Sequence, residues 1–241
     1  SAFKSRIGNR GQKLFAIPTF ITDYLDFYCS GKILLRQKQS QPVVGFCGQA
    51  NGSWLDFSRR QLSNKFKHLM FKLKLFKWEA PNIEPSLFRK RILQKIQQNP
   101  NISTNFILRT RYRAGYRLKV KDPFHFTRME FINNILNTDY TVCIRGEGNF
   151  SVRFYEALSL GRIPVFVNTD CILPLADIIN YKDCMVWVEP YEIPKISEKI
   201  LDFHNSISEN DFIDLQIECR NLWKNYLTEK GFFKNLPRVL V

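Results

Sequence analysis

Residues 140–167 read YTVCIRGEGNFSVRFYEALSLGRIPVFV, and three of the chain's 11 glycines fall within them. Positions 140–145 form an apolar strand that ends on Arg145. Gly146, Glu147, Gly148 and Asn149 then make a loop, and 151–160 carries apolar residues at helical spacing. Gly161 stands where a helix C-cap glycine belongs, and Ile163–Val167 is the next strand. Elements of these lengths suit a right-handed crossover between parallel strands.

The same alternation continues on either side. Upstream, VVGFCG (43–48) reads as a short buried strand running into the turn Gln49-Ala50-Asn51-Gly52-Ser53. Helical spacing follows over 54–70 and again over 86–98, between Pro85 and Pro100. A strand is predicted over 105–109 and a helix over 124–137. Alternation across 42–190 predicts an α/β fold: a Rossmann-like parallel sheet with helices on both faces, followed by a helical C-terminal tail. The chain then divides into 1–40, the end of a preceding domain or a linker; 41–200, the Rossmann-like domain; and 201–241, the tail.

Composition narrows the chemistry. The chain has 241 residues, 44% of them hydrophobic, enough for a substantial core and too many for a disordered protein. No apolar run is long enough to span a bilayer. The start, SAFKSRIGNRGQKLF, lacks an initiator Met and an apolar signal region and reads as an excised domain, so it says little about targeting. The six cysteines and three histidines are scattered without metal-ligand spacing, and no metal site is expected. Cys47 and Cys143 sit within apolar strand runs and are expected to be small core residues.

The net charge of +14 is unevenly spread. Residues 1–120 hold 23 Lys/Arg against 5 Asp/Glu, whereas 121–241 hold 13 against 17. Such polarity attracts anions to one half of the molecule: nucleic acid, a lipid surface, an acidic polysaccharide or nucleotide phosphates. KFKHLMFKLKLFKW (65–78) alternates basic and apolar residues, as an interfacial stretch, an acidic-polymer patch or a solvated basic face would. RTRYRAGYR (109–117) could stack on and neutralise single-stranded RNA, yet no RNA-binding signature accompanies it, so a nucleic-acid-binding module is the weaker alternative.

The loop after residue 145 has two readings. Open α/β sheets bind ligands where a strand feeds a helix N-terminus, with backbone N–H groups and the helix dipole facing an anion. Ser151 would cap that helix or donate to a phosphate. Arg145 and Arg153 flank the loop and could hold a pyrophosphate, and Glu156 could accept ribose hydroxyls. In the plainer reading the loop is a tight turn, Ser151 caps, and Glu156 pairs with an arginine on the surface. The run is neither a GxGxxG fingerprint nor a P-loop.

CIRGEGNFSVRFYEALSLGRIPVFVNTDCILPL (143–175) resembles the exostosin-type glycosyltransferases, whose signature joins C-x-R-G, S-x-R…E-A, G-x-I-P-V and D-x-x-L-P. The matching positions are Cys143, Arg145, Gly146, Ser151, Arg153, Glu156, Ala157, Gly161, Ile163, Pro164, Val165, Asp170, Leu173 and Pro174. Weaker similarity runs upstream through VVGFCGQANG and a helix holding Arg59 and Arg60, so that the resemblance covers roughly 42–200. The resemblance implies the C-terminal, donor-binding half of a GT-B fold and inverting transfer of a sugar from a nucleotide-diphosphate donor, a UDP-sugar by expectation, in polysaccharide biosynthesis.

Carried onto this sequence, Arg145, Gly146, Asn149, Ser151 and Arg153 would contact the diphosphate and Glu156 the ribose or sugar. Gly48, Asn51 and Gly52 would form a second loop at the cleft. The chain has no Asp-x-Asp motif, which suits metal-independent chemistry without a cofactor. A complete two-domain enzyme needs roughly 350 residues at usual domain sizes, so the general base is expected outside this chain, and an inactive accessory relative is a further alternative. The expected acceptor is a glycan, acidic or lipid-linked, with peripheral membrane association. Three N-x-S sequons begin at Asn51, Asn101 and Asn149, and glycans at two of them would obstruct the proposed loops. That favours a cytoplasmic, bacterial protein over one of the Golgi lumen.

Overall fold

The computed structural model describes residues 15–50, 58, 62–63, 66, 69–70, 73, 85–110, 126–146 and 148–240. α1 (Tyr24–Tyr28) is capped by Asp23, whose carboxylate accepts from the Leu25 and Asp26 N–H groups. The order then runs β1 (Val43–Gln49), α2 (Pro85–Gln97), β2 (Ser103–Arg109), α3 (Phe126–Leu136), β3 (Tyr140–Cys143), α4 (Val152–Ser159), β4 (Ile163–Val167) and β5 (Val186–Val188). α5 (Ile196–Ser206), α6 (Glu209–Leu222), α7 (Glu229–Asn235) and α8 (Pro237–Leu240) close the chain.

Among the described residues, five strands form one parallel sheet in the order β2-β1-β3-β4-β5. This is the α/β, Rossmann-like sheet that the alternation predicts, doubly wound with its order reversing between β1 and β3. β5 has no counterpart in the sequence reading, because three residues are too few to show a period. β3 stops at Cys143, two residues short of the expected end.

Every residue of β3 and β4 is buried, as a parallel sheet covered on both faces requires. On β1, Val44 and Phe46 join the larger core cluster. Cys47 points the other way, into a second cluster with Ile132 and Ile135 of α3, Leu160, and Tyr24 and Leu25 of α1. Cys143 is fully buried, and burial pushes its thiol up to about 12, so both strand cysteines behave as small apolar groups. Segments outside 41–200 share this core: Phe212, Trp223, Leu227 and Phe232 lie in the larger cluster. Asp23 receives Arg220 of α6 in a two-toothed ion pair.

The amino end of the sheet is closed by polar residues with many partners, although the Nε of Arg162 is buried without one. Arg162, 1% exposed, donates to the carbonyls of Leu34, Leu136, Leu160 and Gly161 and to Gln216 Oε1. Asp139 accepts Arg36 Nε at 2.6 Å and Val43 N at 2.8 Å. The Gln216 amide accepts from Arg36 N and donates to Arg36 O, both at 2.9 Å, much as a neighbouring strand would. His204 bridges Gln39 O and the Tyr140 hydroxyl at 2.7 and 2.9 Å. Gly161 has φ +66°, the left-handed conformation expected after a helix, and a Cβ there would lie 2.6 Å from Ile33 Cδ1.

Candidate functional site

The carboxyl end of the sheet is split. β1 pairs with β2 from Val43↔Ser103 through Gln49↔Arg109, but with β3 only at Val44↔Tyr140 and Gly45↔Thr141. The split falls at the strand-order reversal, where open α/β sheets bind ligands beyond the strand ends.

Splitting a sheet leaves backbone acceptors to be satisfied. Val43 O accepts from Asp139 N, so the strand's period of two turns the carbonyls of Gly45, Cys47 and Gln49 to that same edge. Cys47 O and Gln49 O lie past the last pair with β3, and two arginines reach them. From α4, Arg153 Nη2 donates to Cys47 O at 2.6 Å. From α2, Arg89 donates through Nη1 to Gln49 O and through Nε to Arg145 O, each at 3.1 Å. Arg89 therefore ties the end of β1 to the segment following β3.

Arg153 is the exceptional group. Its guanidinium lies 4.2 Å from the Phe46 ring centroid and 5.8 Å from that of Phe131. Its Nε is buried without a hydrogen-bond partner. Among the described residues no carboxylate lies within ion-pair distance of it: Glu130 is taken by Arg109 and Glu156 by Arg128. Burial lowers its pKa, partly offset by Cys143 and Glu156, but an arginine stays cationic at neutral pH. A partly buried cation with no ion-pair partner among the described residues favours an anion in the crevice beside it. Gly48 makes this contact possible, since a Cβ there would lie 2.6 Å from Arg153 Nη2.

The other predicted residues fall into distinct environments. Ser151 holds the N-cap position of α4 with φ −122° and ψ 116°, yet its side chain makes no cap hydrogen bond, which corrects the expected capping. Phe154 N–H donates to Ser151 O at 3.2 Å, and the Ser151 side chain caps none of the N–H groups that open α4. Gly146 donates its N–H to Phe150 O and closes the loop, while Arg145 Nε donates to Gly146 O at 3.3 Å. Asn149 is buried. Its Oδ1 accepts from the Thr169 hydroxyl at 2.7 Å, and its Nδ2 donates to Asp170 O, fastening the loop to the turn after β4.

Glu156 is also buried, one turn beyond Arg153. Its Oε1 accepts from Tyr24 OH at 2.8 Å and from Arg128 Nη1 at 3.4 Å, and Arg128 donates to the Tyr24 and Tyr28 hydroxyls as well. The arginine partner foreseen for Glu156 exists: Arg128 is partly exposed, while Glu156 itself is buried. Asn51, Gly52, Arg59, Arg60 and Glu147 lie outside the described residues. Arg89 and Arg128 have no place in the sequence reading. The charge run FRKR (88–91) gives no sign that Arg89 alone turns toward the strand ends.

Fold and seam together define a doubly wound α/β domain with an arginine at its switch point that has no ion-pair partner among the described residues. Residues 54–202, more than half of the chain, match the Exostosin GT47 domain, and the chain belongs to that family. It is 26% identical over 106 residues to Exostosin-1 of Drosophila melanogaster, covering 44% of this chain and 13% of that protein. A probable glucuronosyltransferase of Oryza sativa subsp. japonica is 37% identical over 57 residues, covering 24% and 14%. The Exostosin-1 homolog of Caenorhabditis elegans is 26% identical over 107 residues, covering 44% and 27%. The matched segment thus spans between 13 and 27% of these relatives' length.

Proposed function

We propose that this chain carries the donor site of a glycosyltransferase that moves a sugar from a nucleotide-diphosphate donor to a glycan, with inversion. The observation that carries this reading is Arg153: a partly buried guanidinium with no carboxylate at ion-pair distance among the described residues, at the switch point of a parallel sheet, in a family of glycosyltransferases. In this reading the diphosphate lies across the seam. Arg153 keeps its bond to Cys47 O through Nη2 and turns its remaining N–H groups to the phosphates. The Ser151 hydroxyl and the uncapped N–H groups of α4 supply further donors, and Arg145 with Gly146 forms the wall.

Such donors are fixed before the reaction, so they stabilise the charge that grows on the departing nucleotide diphosphate without reorganising. Arg89 holds the two strand ends at the spacing this cradle needs. Asn149 fastens the loop from behind. Glu156 would reach a ribose or sugar hydroxyl only by exchanging Tyr24 or Arg128 for it. The general base is not assigned to any residue of this chain.

Isothermal titration with a panel of UDP- and GDP-sugars tests the reading. Binding is expected, and Arg153→Ala should weaken it by roughly 30- to 100-fold, as the loss of a charge-assisted contact does. A folded sample that binds no nucleotide sugar would sink the donor-site assignment.

A further inference from the structure

Ahead of α2 the chain displays an apolar stripe. Leu62, Phe66, Leu69 and Leu73 are 73, 61, 53 and 59% exposed. The first three are helical, and Leu73 N–H donates to Leu69 O at 3.0 Å, one helical turn back. Spacings of i, i+4, i+7 and i+11 keep the four side chains within an arc of about 60°, at 100° per residue. Single exposed apolar side chains are ordinary on a protein surface, whereas four at helical spacing form a patch. In sequence, 57–78 contains seven Lys/Arg and no Asp or Glu.

Two partner chemistries complement the positive charge, and the stripe separates them. A polyanion such as nucleic acid or an acidic polysaccharide would neutralise the lysines but leave Leu62, Phe66, Leu69 and Leu73 in water. An anionic bilayer surface satisfies both, taking the apolar side chains at the acyl boundary and the lysines at the headgroups. We propose that the side chains of Leu62, Phe66, Leu69 and Leu73 dock the protein onto an anionic membrane surface. The proposal is independent of the donor site, which lies at the strand ends.

The test uses the whole chain and vesicles of phosphatidylcholine, with or without phosphatidylserine. Co-sedimentation with the mixed vesicles is expected, roughly tenfold stronger than with the neutral ones. The double variant Phe66→Ser/Leu69→Ser should weaken it by roughly tenfold or more. Both side chains are exposed, so its urea midpoint should match that of the parent. In Phe66→Trp, the added emission should shift to the blue on mixed vesicles. Absence of vesicle binding by the folded parent overturns the proposal. So does binding that survives the double variant yet vanishes in high salt, which assigns the stretch to polyanions through charge alone. Self-association in sedimentation that the double variant abolishes, without vesicle binding, gives the stripe to a second copy and overturns it too.

Discussion

Arg162 and Arg153 belong to one sequence motif and sit at opposite ends of one sheet. Arg162, at the amino end, is 1% exposed and surrounded by carbonyl oxygens and the Gln216 amide. Arg153, at the carboxyl end and partly exposed, donates among the described residues to one carbonyl and lies against two aromatic rings; the Nε of both arginines is unpartnered. The first arginine works for the fold: it fastens residue 34, the end of α3 and the turn before β4 together. The second carries donor capacity the fold leaves unspent. Between these two arginines, the number of protein partners separates a structural role from a binding role, where residue type does not.

That contrast is open to direct challenge. Arg162→Ala should have the largest effect, costing about 3 to 4 kcal/mol of stability because several buried carbonyls lose their donor at once. Urea unfolding reads it, and a loss below about 1 kcal/mol would remove the distinction between the two arginines. Arg153→Ala should cost less stability, about 1 to 2 kcal/mol for the Cys47 carbonyl left without its donor, while nucleotide-sugar affinity falls.

Arg89→Lys sharpens the account of the seam. One ammonium cannot hold Gln49 O and Arg145 O together as the fork of a guanidinium does, and donor affinity should drop about tenfold with little change in stability. Unchanged affinity would mean the strand ends keep their spacing without it. Gly48→Ala should act more weakly, by about fivefold, since the new methyl meets the movable end of Arg153 rather than backbone. In an Arg153→Ala background, Gly48→Ala should then cost nothing further.

The smallest effect belongs to the amino end. Burial holds the His204 pKa below its ordinary value, opposed by the Gln39 carbonyl, with Lys38 lowering it and Asp139 raising it. The depressed pKa means that the unfolded chain takes up the proton first. The neutral ring's contribution is whole above about pH 6.5 and is lost as the pH falls from there toward the lower folded-state value. The urea midpoint should decline over that window, and His204→Gln should flatten the decline.

How much of this was legible in the sequence follows from the range of each interaction. The strand–loop–helix–strand run and the glycine after α4 are local patterns, set by periodicity and by the left-handed conformation at Gly161, and they read correctly. The motif placed Arg153 beside the loop. It could not reveal that Ser151 declines to cap, that Asn149 is consumed by Thr169 and Asp170, or that Glu156 is met by Tyr24 and Arg128 from elements far away in the chain. β5 was too short to show a pattern, and Arg89 was hidden among identical charges.

The sequence by itself determined the α/β class, the family and the short list of donor-loop residues, because each rests on spacing along the chain. The tertiary structure alone decided which of those residues have side-chain donors to spare. Where β1 and β3 part company, backbone carbonyls need donors, and only the packing of α2 and α4 against the split settles that Arg89 and Arg153 supply them.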